Sequence, residues 1–392
     1  MTERNHSAAF VLGRGIVSAL GTGVDPTRSG IRAGTAAEPA LPKNISTELK
    51  LPVFEVDGFG ACAGLPGGRC TAMLKKAIDE ALAEAGISPE DLKSLRVGVA
   101  MGTTVSCQLN SIPFYAALRK GEPVSAEPLR SYVDGNPAEW VRREYSLQGP
   151  ALTVSNACAS GTDAIGIAML WLRAGIVDIA IAGGADEMNK VPYDGFFALG
   201  VCSEEPCRPF DADRKGLNLG EGAAVVVLGG EGMRRGSRFA LTGYGKTADA
   251  FHITRPAPDG AGLESAIRNA LADAGAASDE IDYINAHGTG TDTNDRTESA
   301  VLGRVFGPDV RFSSTKAMTG HTLGAAGAIE CVLSLIALED SVVPGNLRFA
   351  RLAPDMPVAP VAETAPLPGM RKVLSVSVAF GGSNSAIAME RV

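Results

Sequence analysis

Aromatic residues make up only 5 % of this chain, with two tryptophans, and there are only four histidines. No apolar run approaches the roughly 20 residues that span a bilayer, which excludes a membrane helix. The opening stretch, MTERNHSAAF, lacks the basic start and apolar core of a secretory signal. Basic residues are not in excess. The formal net charge of -8 argues against a general nucleic-acid binder, and an acidic partner would need a local basic patch. The seven cysteines are an odd number at no metal-like spacing, and Cys202 and Cys207 form only a weak disulfide candidate. A reducing cytoplasm is the expected home.

What the chain does have is 47 glycines within a 45 % hydrophobic, 392-residue sequence. Small residues in such number fit an α/β protein whose backbones approach closely. Residues 11–21 read as a strand entering a glycine-rich turn, and 25–34 as a helix. Residues 35–68, broken by Pro and Gly, read as an irregular surface excursion. A helix over 73–86 stops at Gly86, and a strand follows over 95–101. Residues 106–147 are predicted to form short helices over the core near Cys158. Strands are expected over 178–184 and 223–228, and from Phe239 onward.

The stretch 154–175, VSNACASGTDAIGIAMLWLRAG, organises this pattern. A short strand over 151–154 enters a turn of small residues around Cys158, and a helix apolar nearly all round follows. Taken alone, a cysteine is more often a buried structural residue. At a helix N-terminus the partial positive charge favours thiolate, the reactive form. Two histidines strengthen the case. His287 ends a strand in INAHGTGT, and His321 closes STKAMTGH before a helix of small residues. One Cys and two His in tight turns at element ends point to nucleophilic catalysis.

The chain also repeats. Residues 77–86 (AIDEALAEAG) and 266–275 (AIRNALADAG) share seven of ten positions. Each is followed by a strand ending in Gly-Thr, at Gly102 and at Gly288. Aligning Ala164 with Ala328 places Cys158 opposite Thr322, beside His321. Three matches in one order imply a duplicated α/β unit, whose facing helix N-termini would bring Cys158 and His321 into one site.

ACASG at Cys158, NAHGTGT at His287, STKAMTGH at His321 and AFGGSN at 379–384 together resemble the elongating, Cys-His-His type of β-ketoacyl-acyl carrier protein synthase. The resemblance runs from Val11 to the C-terminus. It implies a thiolase-like α/β fold of two duplicated halves in five αβαβα layers, here 1–235 with the nucleophile and 236–392 with both histidines. It implies that Cys158 accepts the acyl group while His287 and His321 handle malonyl decarboxylation. Lys316 and Glu298 match a buried charged pair, with Lys316 an organiser of the histidines rather than a base. Thr289 and Thr291 match hydroxyls that bind the phosphopantetheine arm, and Phe380 matches the gating aromatic. Asp249, His252 and Glu330 also fall on family positions. The N–H groups of Cys158 and Phe380 would hold the oxyanion.

The implied reaction is decarboxylative Claisen condensation with malonyl-acyl carrier protein, in type II fatty-acid or polyketide and polyene synthesis. It needs no metal and no redox cofactor. The implied partners are an acyl carrier protein and a second copy, or a ketosynthase-like paralogue in a heterodimer paired through 151–154. Carrier docking is expected on Arg69, Lys75, Lys76, Arg208, Arg214 and Lys215. A thiolase would need a second catalytic Cys near 380–383, which is absent. A chain-length-factor-like subunit would lack the nucleophile. Ala379 stands where the family has glycine, so gate motion is expected to be restricted or hinged elsewhere.

Overall fold

The computed structural model describes residues 8–60, 65–106, 111–234 and 236–392. In chain order the first half contains β1 (Ala9–Ser18), α1 (Val24–Ala33), α2 (Gly68–Ala85) and β2 (Val97–Gly102). Then come α3 (Ile112–Arg119), α4 (Glu127–Asp134) and α5 (Pro137–Glu144). They are followed by β3 (Ala151–Val154), α6 (Ser160–Arg173), β4 (Ile179–Asp186), α7 (Lys190–Ala198) and β5 (Gly222–Gly229). The second half runs β6 (Phe239–Ala248), α8 (Ala261–Ala274), β7 (Tyr283–Asn285), α9 (Asp292–Phe306) and β8 (Phe312–Ser313). It ends with α10 (Ala326–Asp340), β9 (Lys372–Ala379) and β10 (Ser383–Arg391).

The strand order is β3-β2-β4-β5-β1-β6-β10-β9-β7-β8. Read inward from either edge, the halves match. β2 is parallel to β3 and β4, and β5 is antiparallel to β4 and β1. In the second half β7 is parallel to β8 and β9, and β10 is antiparallel to β9 and β6. The expected duplication is therefore present in topology as well as in sequence.

Layering follows from which face each strand residue presents. Val97, Val99 and Met101 of β2 pack with Met73, Ala77 and Ile78 of α2 on the outside. Ala100 joins Ala164, Ile165 and Ala168 of α6 on the inside, with much of α10 and residues of β9 and β10. A third core joins α8 and α9 to the outer face of the second sheet. The strands form one continuous sheet joined where β1 pairs with β6, and its two halves act as two sheet layers: α2, first half-sheet, α6 with α10, second half-sheet, α8 with α9, the five layers expected. Strands covered on both faces are why β4 and β5 read as continuous apolar runs.

Glycine sets the helix-to-strand spacing twice. A Cβ on Gly15 of β1 would lie 1.9 Å from the Ala77 carbonyl oxygen, and one on Gly245 of β6 2.0 Å from that of Ala266. Ala77 and Ala266 are the aligned first residues of the repeat.

Two sequence expectations are corrected. The 35–68 stretch is not wholly superficial. Leu51, Val53, Phe54 and Val56 are buried, and the Phe54 N–H donates to Leu219 O at 2.8 Å. The 106–147 stretch does form short helices where described, but none of its described residues lines the Cys158 cavity. α5 buries Ala138, Trp140 and Val141, whereas α3 and α4 bury nothing. Gly15→Ala should cost about 1–3 kcal/mol by overpacking, read from the urea midpoint at unchanged slope. Gly232→Ala, with no atom within 4 Å of its Cβ position, should change stability by less than about 0.5 kcal/mol.

Candidate active site

Cys158 sits in the corner between β3 and α6, 4 % exposed. The preceding residue, Ala157, has φ 47, a left-handed conformation costly for a residue with a Cβ. Ser160 Oγ fastens the corner, donating to Ala157 O at 2.6 Å and accepting the Asn156 N–H at 2.7 Å. The N–H groups of Phe380 and of Cys158 itself both face the sulfur, as expected of an oxyanion site.

His287 follows β7. Its N–H and that of Gly288 donate to Glu298 of α9 at 2.6 and 2.8 Å. Lys316 Nζ lies 3.2 Å from His287 Nδ1, bonds to His287 O and pairs with Glu330 of α10. The buried ion pair is thus Lys316–Glu330, not Lys316–Glu298. Glu298 is fully engaged in holding the His287 turn, one helix away from the carboxylate that meets the lysine. His321 Nδ1 accepts the Leu323 N–H at 3.2 Å, and the two imidazole rings meet edge-on, 5.3 Å apart.

Cys158 Sγ and a ring nitrogen of each histidine lie within 4.8 Å of one another. Such a trio has the composition of a metal site, but its hydrogen bonds oppose that use. An ammonium and a backbone amide can only donate, so both Nδ1 atoms accept. The neutral rings therefore carry their protons on Nε2, which makes them donors toward the cavity rather than ligands. Burial, reinforced by the Lys316 charge, holds both imidazoles well below their ordinary 6.5.

The thiol does not follow the sequence expectation. Burial pushes Cys158 up to about 11, although Lys316 and the Phe380 N–H favour the thiolate. Desolvation of the sulfur outweighs the stabilising groups around it.

The cavity above these groups measures about 390 Å³. Thr289 and Thr291 line it, their hydroxyls 2.8 Å apart. Phe380 lines it too, stacked on Phe196 at 5.2 Å and 16°. Phe196 also meets the edge of His321 at 6.3 Å. Nothing in its YDGFF context marks Phe196 as special, and it was missed. Arg214, Lys215 and Arg255 stand at the cavity, and Arg255 was likewise unforeseen.

Of the expected docking residues, Arg69 is buried and paired with Glu221 and cannot meet a partner. Lys75 and Lys76 on α2, and Arg208 beside Glu205, do not line the cavity. His252 is exposed and accepts the Thr254 N–H at 3.1 Å, whereas Asp249 bonds Asn384 Nδ2 at 2.7 Å. Cys202 and Cys207 are unpaired thiols.

Residues 68–231 match the family described as beta-ketoacyl synthase, N-terminal domain, and 239–350 its C-terminal domain. The chain belongs to the β-ketoacyl synthases. It is 34 % identical over 345 residues to the tetracenomycin polyketide synthase ketoacyl synthase alpha subunit of Streptomyces glaucescens, covering 82 % of this chain and 81 % of that one. It is 34 % identical over 336 residues to nodulation protein E of Rhizobium meliloti, covering 83 % and 82 %. A chain in the solved complex of the ketosynthase ApeO with its chain length factor ApeC, from Xenorhabdus doucetiae, matches with a TM-score of 0.89, 30 % identity and full coverage of both chains. The β-ketoacyl synthase fold is thiolase-like, as expected. Among the described residues no helix is long and apolar enough to cross a membrane.

Iodoacetamide alkylation of Cys158 should climb about tenfold per pH unit between about pH 7 and 9, because only the thiolate reacts. A plateau across that range would show a stabilised thiolate instead.

Proposed function

We propose that this β-ketoacyl synthase condenses an acyl group held on Cys158 with malonyl-acyl carrier protein, in type II fatty-acid or polyketide-like synthesis. One observation carries the reading. A single thiol and two Nε2–H donors converge at the base of a cavity whose wall offers two hydroxyls, Thr289 and Thr291, to an extended polar arm.

Cys158 Sγ adds to the acyl thioester, and the departing pantetheine sulfur leaves with the proton that Cys158 gives up. The exchange is proton-neutral, so a thiol of high pKa suffices. The malonyl thioester oxygen then accepts from Nε2–H of His287 and His321. The bond to carbon dioxide breaks and its electron pair enters the enolate, whose oxygen those donors stabilise. The enolate carbon attacks the Cys158 acyl carbonyl. The new oxyanion is held by the Cys158 and Phe380 N–H groups, and collapse returns the Cys158 sulfur, which takes up a proton. No metal or redox group enters this scheme. The first half supplies the nucleophile and the second both imidazoles.

We assign the cytoplasm as the compartment, on the strength of Cys158, Cys202, Cys207 and Cys331, none of which is in a disulfide. The exposed edge strand β3, with Leu152 42 % exposed, would pair with a second copy or a ketosynthase-like chain.

The half-reactions should separate. Cys158→Gln should abolish condensation yet retain carbon dioxide release from malonyl carrier protein. His321→Ala should leave acylation of Cys158 intact and slow decarboxylation roughly 10²–10³-fold. Because both imidazoles titrate well below 6.5 and stay neutral, release by the Gln variant should be level as pH falls from about 8 to about 6. Mass spectrometry of the acyl-enzyme and labelled carbon dioxide measure the two steps, and a midpoint near the ordinary histidine value would refute the neutral-imidazole scheme.

Carrier docking is assigned to the cavity mouth, where Arg255 and Lys215, the latter paired with Glu205, are exposed. Lys215→Glu with Arg255→Glu should raise KM for carrier-bound substrate about tenfold and spare a small thioester mimic. Equal losses on both substrates would remove the mouth from docking.

A further inference from the structure

The two N–H groups that face the Cys158 sulfur come from different halves. One is at the head of α6, the other in the turn after β9. Two donors on separate turns serve one oxyanion only if the turns are fixed to each other. The Asn156 side chain spans that gap to the Phe380 turn itself. Asn156 Nδ2 donates to Ser383 Oγ at 2.7 Å and also to Asp163. Ser383 closes the turn that begins at Phe380.

Both ends of this tie are anchored. The Asn156 backbone is held to the α6 head through its N–H to Ser160 Oγ. Asp163 is fully buried and accepts from Tyr244 Oη at 2.8 Å, Lys246 Nζ at 2.6 Å and Ser385 Oγ, all from the second sheet. Asp163 thus sets the rotamer from which Asn156 reaches Ser383. The side chain is a strut between a rigid corner and the Phe380 turn.

We propose that Asn156 and Ser383 are positioning residues that align the Cys158 and Phe380 N–H groups on one oxyanion. The inference rests on the acyl-transfer reading above. In acylation the sulfur forms a bond to the thioester carbon, and the carbonyl electron pair moves onto oxygen between the two donors. Collapse re-forms the carbonyl and breaks the bond to the carrier's sulfur, which departs with the proton from Cys158. Alkylation by iodoacetamide uses the same sulfur but displaces iodide from a methylene, and no oxyanion forms. A disturbed thiol would slow both reactions, whereas misplaced donors slow acylation alone.

The test is quench-flow acylation by an acyl carrier thioester, followed by intact-protein mass spectrometry, beside iodoacetamide alkylation at the same pH. Asn156→Ala and Ser383→Ala should each slow acylation about 10²-fold and leave alkylation within about twofold. Ser383→Thr keeps the hydroxyl and should restore most of the rate. The double alanine variant should be no slower than the slower single one, because either change removes the same bond. Unchanged acylation in both single variants overturns the proposal, as does alkylation falling in step or a multiplicative double variant. Native protein that is never acylated at Cys158 would instead sink the acyl-transfer reading itself.

Discussion

The buried ammonium of Lys316 is the charge on which the site depends. Removing an unpaired ammonium from water costs several kcal/mol, and breaking such a buried pair leaves that cost exposed. Here the charge is met in full. Its three protons go to Glu330, to His287 O and to His287 Nδ1. An ammonium so engaged has no lone pair and no spare proton, and its contacts are those of a group that organises the His287 turn. Its effect reaches the chemistry through His287, which it fixes in one tautomer and holds neutral. Glu330, though raised by its own burial, is drawn toward the charged form by the same lysine.

Duplication is what delivers these groups to one place. β3 and β8 occupy equivalent edges; β3 leads through a short turn into the central helix α6, and β8 leads through residues 314–325, which include a one-turn helix at Lys316–Thr319, into the other central helix, α10. Those helices pack together between the sheets, so the turns before them meet. The halves have diverged at that meeting point: one turn carries the thiol, the other carries Lys316 and His321. Asp186, at the end of β4, ties them. Its carboxylate accepts the N–H groups of Thr104 and Gly324 at 2.8 and 2.7 Å, from the two halves respectively. A fully buried carboxylate with donors from both sides fixes the loop that carries His321 relative to the first sheet.

Local pattern made most of this legible in the sequence. The repeat at Ala77 and Ala266 was visible because close helix–strand approach demands small residues at matching positions. Cys158, His287 and His321 stood out because glycine and hydroxyl residues surround them at element ends. What was hidden depended on distance in space. Glu298 and Glu330 both lie on helices, and only the closed fold decides that Glu330 reaches the ammonium while Glu298 holds the His287 turn. Arg69 looked like a surface cation because its partner Glu221 is 152 positions away. The thiol's direction of shift was misjudged for a related reason. A helix terminus is written in the sequence, whereas the depth of burial that outweighs it is a property of the closed fold. The stretch 106–147 was placed near the cavity on polarity alone, which does not say which face of the sheet a helix covers.

The alanine before Phe380 gains a physical reason from the same geometry. The Phe380 N–H belongs to the peptide unit that joins it to Ala379, so its direction follows the Ala379 backbone. Ala379 is extended, at φ -126 and ψ 153, where an alanine costs nothing. It is also packed with Cys158 and Ala159 in a small cluster of its own. The left-handed conformations fall on the other side of the ring, at Gly381 and Gly382, with φ 83 and 77. Rotation about those glycines can change where the chain after Phe380 runs without turning the N–H before it. A glycine at 379 would loosen the donor; an alanine there restricts it, and the glycines that follow retain the freedom. The left-handed backbone therefore lies C-terminal to the aromatic, while the Ala379 backbone that orients the Phe380 N–H is extended and packed against Cys158.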